Sequence, residues 1–355
     1  MRRLNVTDVR VLPGDSGFLI DDGQTAVLCD TGFGFTGAKM AEKIRAQLGG
    51  RPLDYIILTH SHYDHVLGAP YIQAAYPGAK VIAGTYVTSI FERPTARARM
   101  RDLDRKFAHT CGVETYEDLT DALRVDVTVE DGDVIDCGSM RFTVVALPGH
   151  TKCSIGFYLE ENRLLLATET LGVYFGMDTY MPSYLVGYQM TLDSFKRAKR
   201  LDIESLLIPH YGLVTGEEAK GFLENSEKTA RHFAQKLREI FAAGGSEEDA
   251  MAYCREHIYL EHVRPLYPID AFNLNTRLVS VQVCLCFQCV NEFYGNCQSF
   301  VLDVVFVLAG CSLYSTIACY CDLDVIHHFE IVLLTELLNL GNKFSCKTFV
   351  DEFVS

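Results

Sequence analysis

The stretch that decides the fold spans residues 54–65 and reads DYIILTHSHYDH. It begins with a short apolar run, the pattern of a buried β-strand. Three histidines and one aspartate follow within its last six residues. Clustered histidines would repel one another once protonated, whereas neutral imidazole and carboxylate oxygen are common ligands of zinc and iron. The stretch therefore predicts a strand that delivers the chain directly into a metal site.

The spacing of these side chains indicates two ions. In an extended loop, His60 and His62 stand at alternate positions and can share one ion, while Asp64 and His65 face a second. A polar loop with coincidental histidines is the structural alternative.

Three more ligand-type residues stand where apolar runs end further along the chain. His150 lies in LPGHT after an apolar strand, Glu169 follows LLLAT, and His210 follows LLIP. Loops at strand ends converge to build sites in layered α/β folds, so these segments predict one dinuclear centre. Taken singly, the histidines could be turn residues and the glutamate an exposed carboxylate.

The first 215 residues read as strands alternating with helices. Residues 16–30 predict a hairpin around an Asp-Asp-Gly turn, and residues 126–147 predict strand pairs with an Asp-Gly-Asp turn between them. Residues 153–168 predict another hairpin, and residues 37–48 predict a helix that stops at a Gly-Gly pair. We therefore expect an α/β domain over residues 1–215.

The chain changes character twice beyond this domain. Helical periodicity over 217–241 and 246–259 predicts a helical cap that spans residues 216–283. Residues 284–355 hold eight of the thirteen cysteines and neither arginine nor proline. Three interpretations of this cysteine-rich tail stay open: a thiolate-bound zinc or iron–sulfur site, a membrane span over 304–321, and an ordinary apolar extension.

Charge and composition limit the partners. The net charge is −14, which argues against nucleic acid because phosphate binding needs Lys and Arg to displace counterions. The amino terminus has no apolar stretch of about 7–15 residues such as a signal peptide needs, so a cytoplasmic location is expected. A small-molecule substrate is the expected partner, a membrane is not expected, and the oligomeric state is left open.

Taken together, the motifs resemble the metallo-β-lactamase superfamily over roughly residues 1–215. The order and strand context of the HxHxDH motif, Pro-Gly-His-Thr and the two later ligand positions all match. The resemblance implies an αββα sandwich, here with a C-terminal helical extension, and two divalent metal ions at one edge. Zinc is the favoured ion, with iron or manganese as alternatives.

The resemblance also implies a role for each site residue. One metal would be held by His60, His62 and His150, and the other by Asp64, His65 and His210. Glu169 would bridge the ions, and Asp30 resembles the carboxylate that orients a ligand histidine.

Two positions depart from the family pattern. The bridging residue is usually Asp, and the extra methylene of Glu169 moves the carboxylate by more than about 1 Å unless the backbone recoils. The last ligand usually lies in Pro-Gly-His-Gly, so strict alignment would place Tyr211 at the ligand position, and a shift of one residue restores His210. Both departures concern the second metal.

A metal-bound hydroxide predicts hydrolysis of a carbonyl or phosphoryl centre. Asp64 is expected to relay a proton to the leaving group, and Tyr211 either to donate a hydrogen bond to the substrate or to be a packed aromatic. The aromatic residues of 171–188 are expected to form an apolar pocket wall or to pack in the core.

The C-terminal helices resemble those of the glyoxalase II and quinolone-signal thioesterase branches. We therefore favour a thioester or an ester of a small to medium apolar substrate. Lactone or phosphodiester hydrolysis is the alternative, and so is a non-catalytic ligand-sensing role with an altered second metal site. An exported β-lactamase would need a signal peptide, and a flavodiiron oxygen reductase would usually show Glu in place of His62.

Overall fold

The computed structural model describes residues 4–286, which form fourteen strands, nine α-helices and three short 3₁₀ turns. The strands are β1 (Asn5–Asp8), β2 (Phe18–Asp21), β3 (Ala26–Cys29), β4 (Tyr55–Leu58), β5 (Lys80–Gly84), β6 (Val127–Val129), β7 (Val134–Cys137), β8 (Met140–Ala146), β9 (Ile155–Leu159), β10 (Leu164–Leu166), β11 (Val173–Tyr174), β12 (Tyr180–Met181), β13 (Ser205–Ile208) and β14 (Gly212–Thr215). The α-helices are α1 (Gly34–Leu48), α2 (Tyr63–Val66), α3 (Ala69–Ala75), α4 (Thr85–Phe91), α5 (Pro94–Thr110), α6 (Tyr188–Ala198), α7 (Gly216–Ala242), α8 (Glu247–Ile258) and α9 (Ile269–Cys286).

Twelve of these strands form two six-stranded sheets. The first has the order β1-β2-β3-β4-β5-β6, antiparallel from β1 to β3 and parallel from β3 to β6. The second has the order β14-β13-β10-β9-β8-β7 and is antiparallel except for the parallel pair β10 and β13. Strands β11 and β12 form a separate two-stranded ribbon.

The inner strands of the first sheet, β2 to β5, are apolar on both faces because both faces are covered. Phe18 and Ile20 pack in a core shared by the two sheets, whereas Leu19 packs with the helices outside. Ile57 and Ile56 divide in the same way between the inner core and the outer helices. Successive side chains of a strand point to opposite faces, so a continuous apolar run indicates a strand buried on both sides. The predicted αββα sandwich is confirmed.

The helical cap packs on the outer face of the second sheet. Leu206 of β13 lies in one buried cluster with Phe222 of α7 and Phe272 of α9. Helix α7 begins at Gly216, and α9 continues three residues beyond the predicted end of the cap, to Cys286. The sequence indicated helices only as far as residue 259 and missed α9. Because the cap and the sheet share a core, the division into domains stays a prediction.

The Asp-Gly-Asp turn at residues 131–133 differs from the prediction. It was expected to lie between paired strands, but β6 belongs to the first sheet and β7 to the second. The turn is therefore the crossover between the two sheets.

From residue 287 onwards, the cysteine-rich tail lies outside the described residues. The alternatives of a thiolate site and a membrane span fall on this part of the chain. Within residues 4–286, the helices are all too short or too polar to cross a membrane.

Candidate metal centre

The ligand-type residues follow strands that run in the same direction within each sheet. In the first sheet β3 and β4 are parallel, and in the second β8, β10 and β13 all run the same way. The carboxyl ends of these strands therefore meet at one edge of the sandwich. There the backbone N–H of Ile155 donates to the carbonyl oxygen of Thr59 at 2.9 Å, which joins the start of β9 to the end of β4.

All seven predicted ligand residues come together at this edge. They form two groups, and within each group the possible ligand atoms lie within 4.8 Å of one another. The first group is His60, His62, His150 and Glu169, and the second is Asp64, His65 and His210. The residues that sequence reasoning assigned to separate ions thus lie in separate groups of one site.

Glu169 lies between the two groups. Its Oε2 atom is 2.9 Å from Nε2 of His150 and 3.3 Å from Nε2 of both His60 and His65. Its Oε1 atom is 3.5 Å from Nε2 of His210. Glu169 occupies a 3₁₀ turn that follows β10, and its side chain reaches both groups from there despite the extra methylene. One carboxylate therefore contacts histidines that would serve two different ions.

Four of the histidines are held by their Nδ1 atoms. The Nδ1 partners are Oγ1 of Thr59 for His60 at 3.1 Å, Oδ2 of Asp30 for His65 at 2.8 Å, the carbonyl oxygen of Ser183 for His150 at 3.1 Å, and the carbonyl oxygen of Asp15 for His210 at 3.1 Å. Each contact leaves Nε2 directed at the centre, the arrangement that fixes ring orientation in metal-ligating histidines. Asp30 lies where its resemblance to an orienting carboxylate implied.

Burial sets the protonation of the first two histidines. Burial, followed by the charge of His65, lowers the pKa of His60 to about 3. Burial, followed by the charges of His60 and His150, lowers the pKa of His62 well below its usual range. Both imidazoles are therefore neutral at pH 7, and only a neutral imidazole can bind a metal ion.

The histidines keep Glu169 and Asp30 ionised, whereas burial raises the pKa of Asp64. Burial would raise the pKa of Glu169, but the charge and hydrogen bond of His150 lower it well below the usual range. Burial would likewise raise the pKa of Asp30, but the charge of His65 lowers it. In the same pairing, burial alone would lower the pKa of His65, but Asp64 and Asp30 raise it well above its usual range, so His65 must release a proton when it binds an ion.

The donor atoms of this centre fit divalent metal ions. Nε2 of His60 and Nε2 of His65 are buried without a hydrogen-bond partner among the described residues. Leaving such atoms unsatisfied costs free energy, and a divalent ion bound by imidazole nitrogen and carboxylate oxygen would satisfy them. The chain therefore has a site suited to metal, whose identity the donor set does not fix.

Glu169→Gln is expected to weaken the metal of the second group more than that of the first. The first ion would keep three histidines, whereas the second would lose a charged ligand and keep Asp64, His65 and His210. We expect its affinity to fall by at least roughly 10-fold, with no loss of fold. Metal content during a chelator titration measures this. Glu161→Gln, which removes an exposed carboxylate, is the matched control. Equal occupancy of both sites in Glu169→Gln and wild type would contradict a bridging role.

Sequence reasoning missed Arg10, which holds the loop of the last ligand. The Arg10 guanidinium donates to the carbonyl oxygen of His210 and, at 3.2 Å, to that of Tyr211. These bonds support the left-handed backbone of His210, with φ of 62°, which a non-glycine residue rarely adopts. No local signal marks Arg10, because its partners lie about 200 residues away along the chain.

Tyr211 packs as an aromatic in this structure. Its ring centroid lies 4.6 Å from that of Tyr174, and the ring is only partly buried. This contact fits the packed-aromatic alternative, and a catalytic role for Tyr211 stays a prediction.

The aromatic and methionine residues of 171–188 pack mostly in the core beneath the helical cap. The buried ones are Tyr174, Phe175, Tyr180, Met181, Tyr184 and Tyr188. Met177 is the exception, with 80% of its surface exposed. Core packing therefore accounts for most of this segment, while Tyr174, Met177 and Tyr180 also line a cavity at the surface.

A family model and several curated proteins match this chain. The model, described as Metallo-beta-lactamase superfamily, matches residues 10–210, more than half of the chain. Hydroxyacylglutathione hydrolase of Stenotrophomonas maltophilia is 30% identical over 145 residues, which cover 41% of this chain and 41% of that protein. Glyoxylase B2 of Dictyostelium discoideum is 27% identical over 135 residues, which cover 38% and 41%. The matched region thus spans about two fifths of the length of these relatives.

Solved structures share the fold at low sequence identity. A metallo-beta-lactamase family protein from Thermus thermophilus aligns with a TM-score of 0.54 at 17% identity, over 80% of this chain and 92% of that one. A beta-lactamase domain protein from Burkholderia ambifaria aligns with a TM-score of 0.54 at 15% identity, over 80% and 85%. At these identities the similarity bears on the fold alone.

Proposed function

The chain belongs to the metallo-β-lactamase superfamily, and from this premise we propose that it is a metal-dependent hydrolase acting on a thioester or ester of a small to medium apolar substrate. The observation that carries the proposal is the position of Glu169. Its carboxylate contacts histidines of both ligand groups, at 2.9 Å from His150 and 3.5 Å from His210. A centre that can hold two ions side by side is the arrangement used for metal-assisted hydrolysis.

The chain's own groups would then divide the chemistry. Two divalent ions bound here would lower the pKa of a bound water to about 7 and would polarise the substrate oxygen. Asp64 differs from the other carboxylate of the centre because 22% of its side chain is exposed, so it can meet a substrate entering from solvent. Its Oδ2 atom lies 3.7 Å from Nε2 of His65 and 3.8 Å from Nε2 of His210. Asp64 is placed to take up at Oδ2 the proton that the attacking water gives up, and to pass it to the departing thiolate or alkoxide.

The choice of a thioester is supported by the curated relatives. Several of them, from Stenotrophomonas maltophilia and Francisella tularensis among others, are named hydroxyacylglutathione hydrolase, and their alignments to this chain cover part of each protein. Helices α7 to α9 form the cap over the second sheet. Their apolar side chains share a core with the segment that follows Glu169. These observations favour an acyl thioester over a lactone or a phosphodiester.

The 355-residue chain loaded with zinc is expected to hydrolyse a hydroxyacyl-glutathione thioester. A chelator should abolish turnover, and added zinc should restore it, because the attacking water depends on the bound ions. Release of free thiol measures the rate. A simple lactone and a chromogenic phosphodiester are assayed beside it. Turnover of the phosphodiester or the lactone alone would replace the proposal with the other class, and a metal-loaded chain that turns over none of the three would indicate a non-catalytic role.

A further inference from the structure

Five aromatic rings form a connected group beside the metal centre. The ring centroid of Phe33 lies 5.6 Å from that of Tyr63 and 4.7 Å from that of Phe107. The ring centroid of Phe35 lies 5.2 Å from that of Phe33, and 6.1 Å from those of Phe107 and Tyr116. We call these five residues the aromatic cluster. They come from the start of α1, the start of α2, and α5 with the loop behind it.

The aromatic cluster is joined to the metal centre at two points. Tyr63 directly precedes Asp64 in the chain. Phe33 is tied to the last ligand through Asp15, whose Oδ1 atom accepts the backbone N–H of Phe33 at 3.1 Å. The carbonyl oxygen of Asp15 in turn lies 3.1 Å from Nδ1 of His210. The cluster therefore borders the second ligand group, on the side where Asp64 is partly exposed.

A buried carboxylate holds the aromatic cluster in shape. Asp104 of α5 accepts the backbone N–H groups of Gly34 at 2.9 Å and Phe35 at 3.3 Å, and the hydroxyl of Tyr116 at 2.5 Å. Phe107 follows Asp104 by three residues, so both lie on the same face of the helix. One side chain therefore connects all but one of the segments that carry the rings, and the rings are arranged before a ligand arrives.

The rings are only partly covered, and their planes are tilted. Phe33 is buried, whereas Phe35, Tyr63 and Phe107 are partly exposed. The ring planes in contact meet at angles from 28° to 60°. Such a surface offers both ring edges and ring faces, and a further aromatic ring gains edge-to-face contacts there in addition to the burial of its apolar area.

We propose that the aromatic cluster binds the acyl side chain of the substrate, and that this side chain carries an aromatic ring. The inference rests on the proposed function, since the acyl carbon is attacked at the metal centre while its side chain lies on the neighbouring rings. Phe107 is the specificity-determining residue. It is partly exposed, contacts Phe33, and lies on α5, which supplies none of the seven ligand residues. It can therefore be changed without removing a ligand.

The first test compares glutathione thioesters on the zinc-loaded 355-residue chain. Phenylacetyl and cyclohexylacetyl groups have the same number of carbon atoms, and only the first has an aromatic ring. We expect the wild type to have the higher kcat/KM for the phenylacetyl thioester. Phe107→Leu keeps an apolar side chain and removes the ring, so the ratio of the two kcat/KM values should fall about fivefold. Its turnover of acetyl-glutathione and its metal content should stay within about twofold of the wild type.

Tyr253→Leu is the matched control. Tyr253 is also a partly buried aromatic residue on a helix, and its ring centroid lies 5.6 Å from that of Phe233 in the cap. This variant should keep the wild-type ratio. A Phe107→Leu chain that keeps the ratio, or that loses turnover of all three thioesters equally, overturns the role of the aromatic cluster and leaves the proposed hydrolase in place.

The second test measures binding without turnover. Phenylacetate is the acid released from the phenylacetyl thioester, and calorimetry gives its Kd. We expect Phe107→Leu to bind it about fivefold more weakly than the wild type, and Tyr253→Leu to bind it equally well. A wild type that hydrolyses no glutathione thioester overturns the proposed function. Phenylacetate then decides on the cluster alone: weaker binding by Phe107→Leu retains it as a site for an aromatic ring, and equal binding or none overturns it.

Discussion

Replacement of His62 by alanine is expected to abolish metal binding by the first ligand group and to lower the rate of hydrolysis by more than roughly 100-fold. Loss of a residue that only orients a ligand costs up to about 100-fold, and loss of a ligand itself should cost more. Nδ1 of His62 lies 2.9 Å from Nε2 of His150, and the side chain is buried. Alanine leaves a void there and removes one of three nitrogen donors. Metal content after dialysis and steady-state turnover measure the two effects together.

The matched control removes a histidine far from any ligand contact. His109 lies on α5 with 72% of its side chain exposed, beside the equally exposed Glu114. His109→Ala should retain wild-type metal content and turnover within a factor of about two, because exposed pairs of this kind contribute little. Unchanged turnover in a metal-depleted preparation of His62→Ala would show that hydrolysis does not use this centre.

The features of the site that could be predicted from sequence are those whose residues lie close together along the chain. The apolar residues of β4 lead into His60 after one residue, and those of β10 lead into Glu169 after two. A buried strand needs a continuous apolar run, and a ligand at its end needs only the next few positions. The strands and the candidate ligands were therefore both visible in short windows of sequence.

The pairing of strands could not be found in the same way. The same Asp-Gly-Asp sequence can form the turn of a hairpin or the start of a crossover between sheets. Here β6 lies in the first sheet and β7 in the second. That choice depends on packing between layers. The burial of the aromatic and methionine residues of 171–188 could not be predicted for the same reason. Tyr184 is fully buried in the core, while Met177 nearby is exposed.

A residue that supports the centre from a distance was also missed. Arg10 contacts the backbone of His210, although about 200 residues separate them in the chain. This contact depends on elements whose relative position is set by the whole fold, and Arg10 lies in no motif. Contacts of this kind become visible only when the cap and the two sheets are placed together.

Gly68→Ala is expected to destabilise the fold by about 3 kcal/mol or more, at the upper end of the cost of overpacking. A Cβ at Gly68 would lie 1.9 Å from the carbonyl oxygen of Thr31 and 2.9 Å from its carbonyl carbon. The Thr31 backbone cannot move freely, because its N–H and its hydroxyl both donate to the carbonyl oxygen of His65, at 2.7 and 2.8 Å. Urea unfolding of the full chain measures the loss.

The clash at Gly68 also connects stability to the metal centre. Thr31 follows Asp30, whose Oδ2 contacts Nδ1 of His65, so displacement of this turn would disturb a ligand as well as the core. We therefore expect Gly68→Ala to weaken metal binding in addition to lowering the unfolding midpoint. Gly78→Ala is the matched control, since a Cβ there meets nothing within 4 Å, and its effect should stay within about 0.5 kcal/mol. A Gly68→Ala chain as stable as Gly78→Ala would show that the packing of α3 against the Asp30 turn is looser than the structure has it.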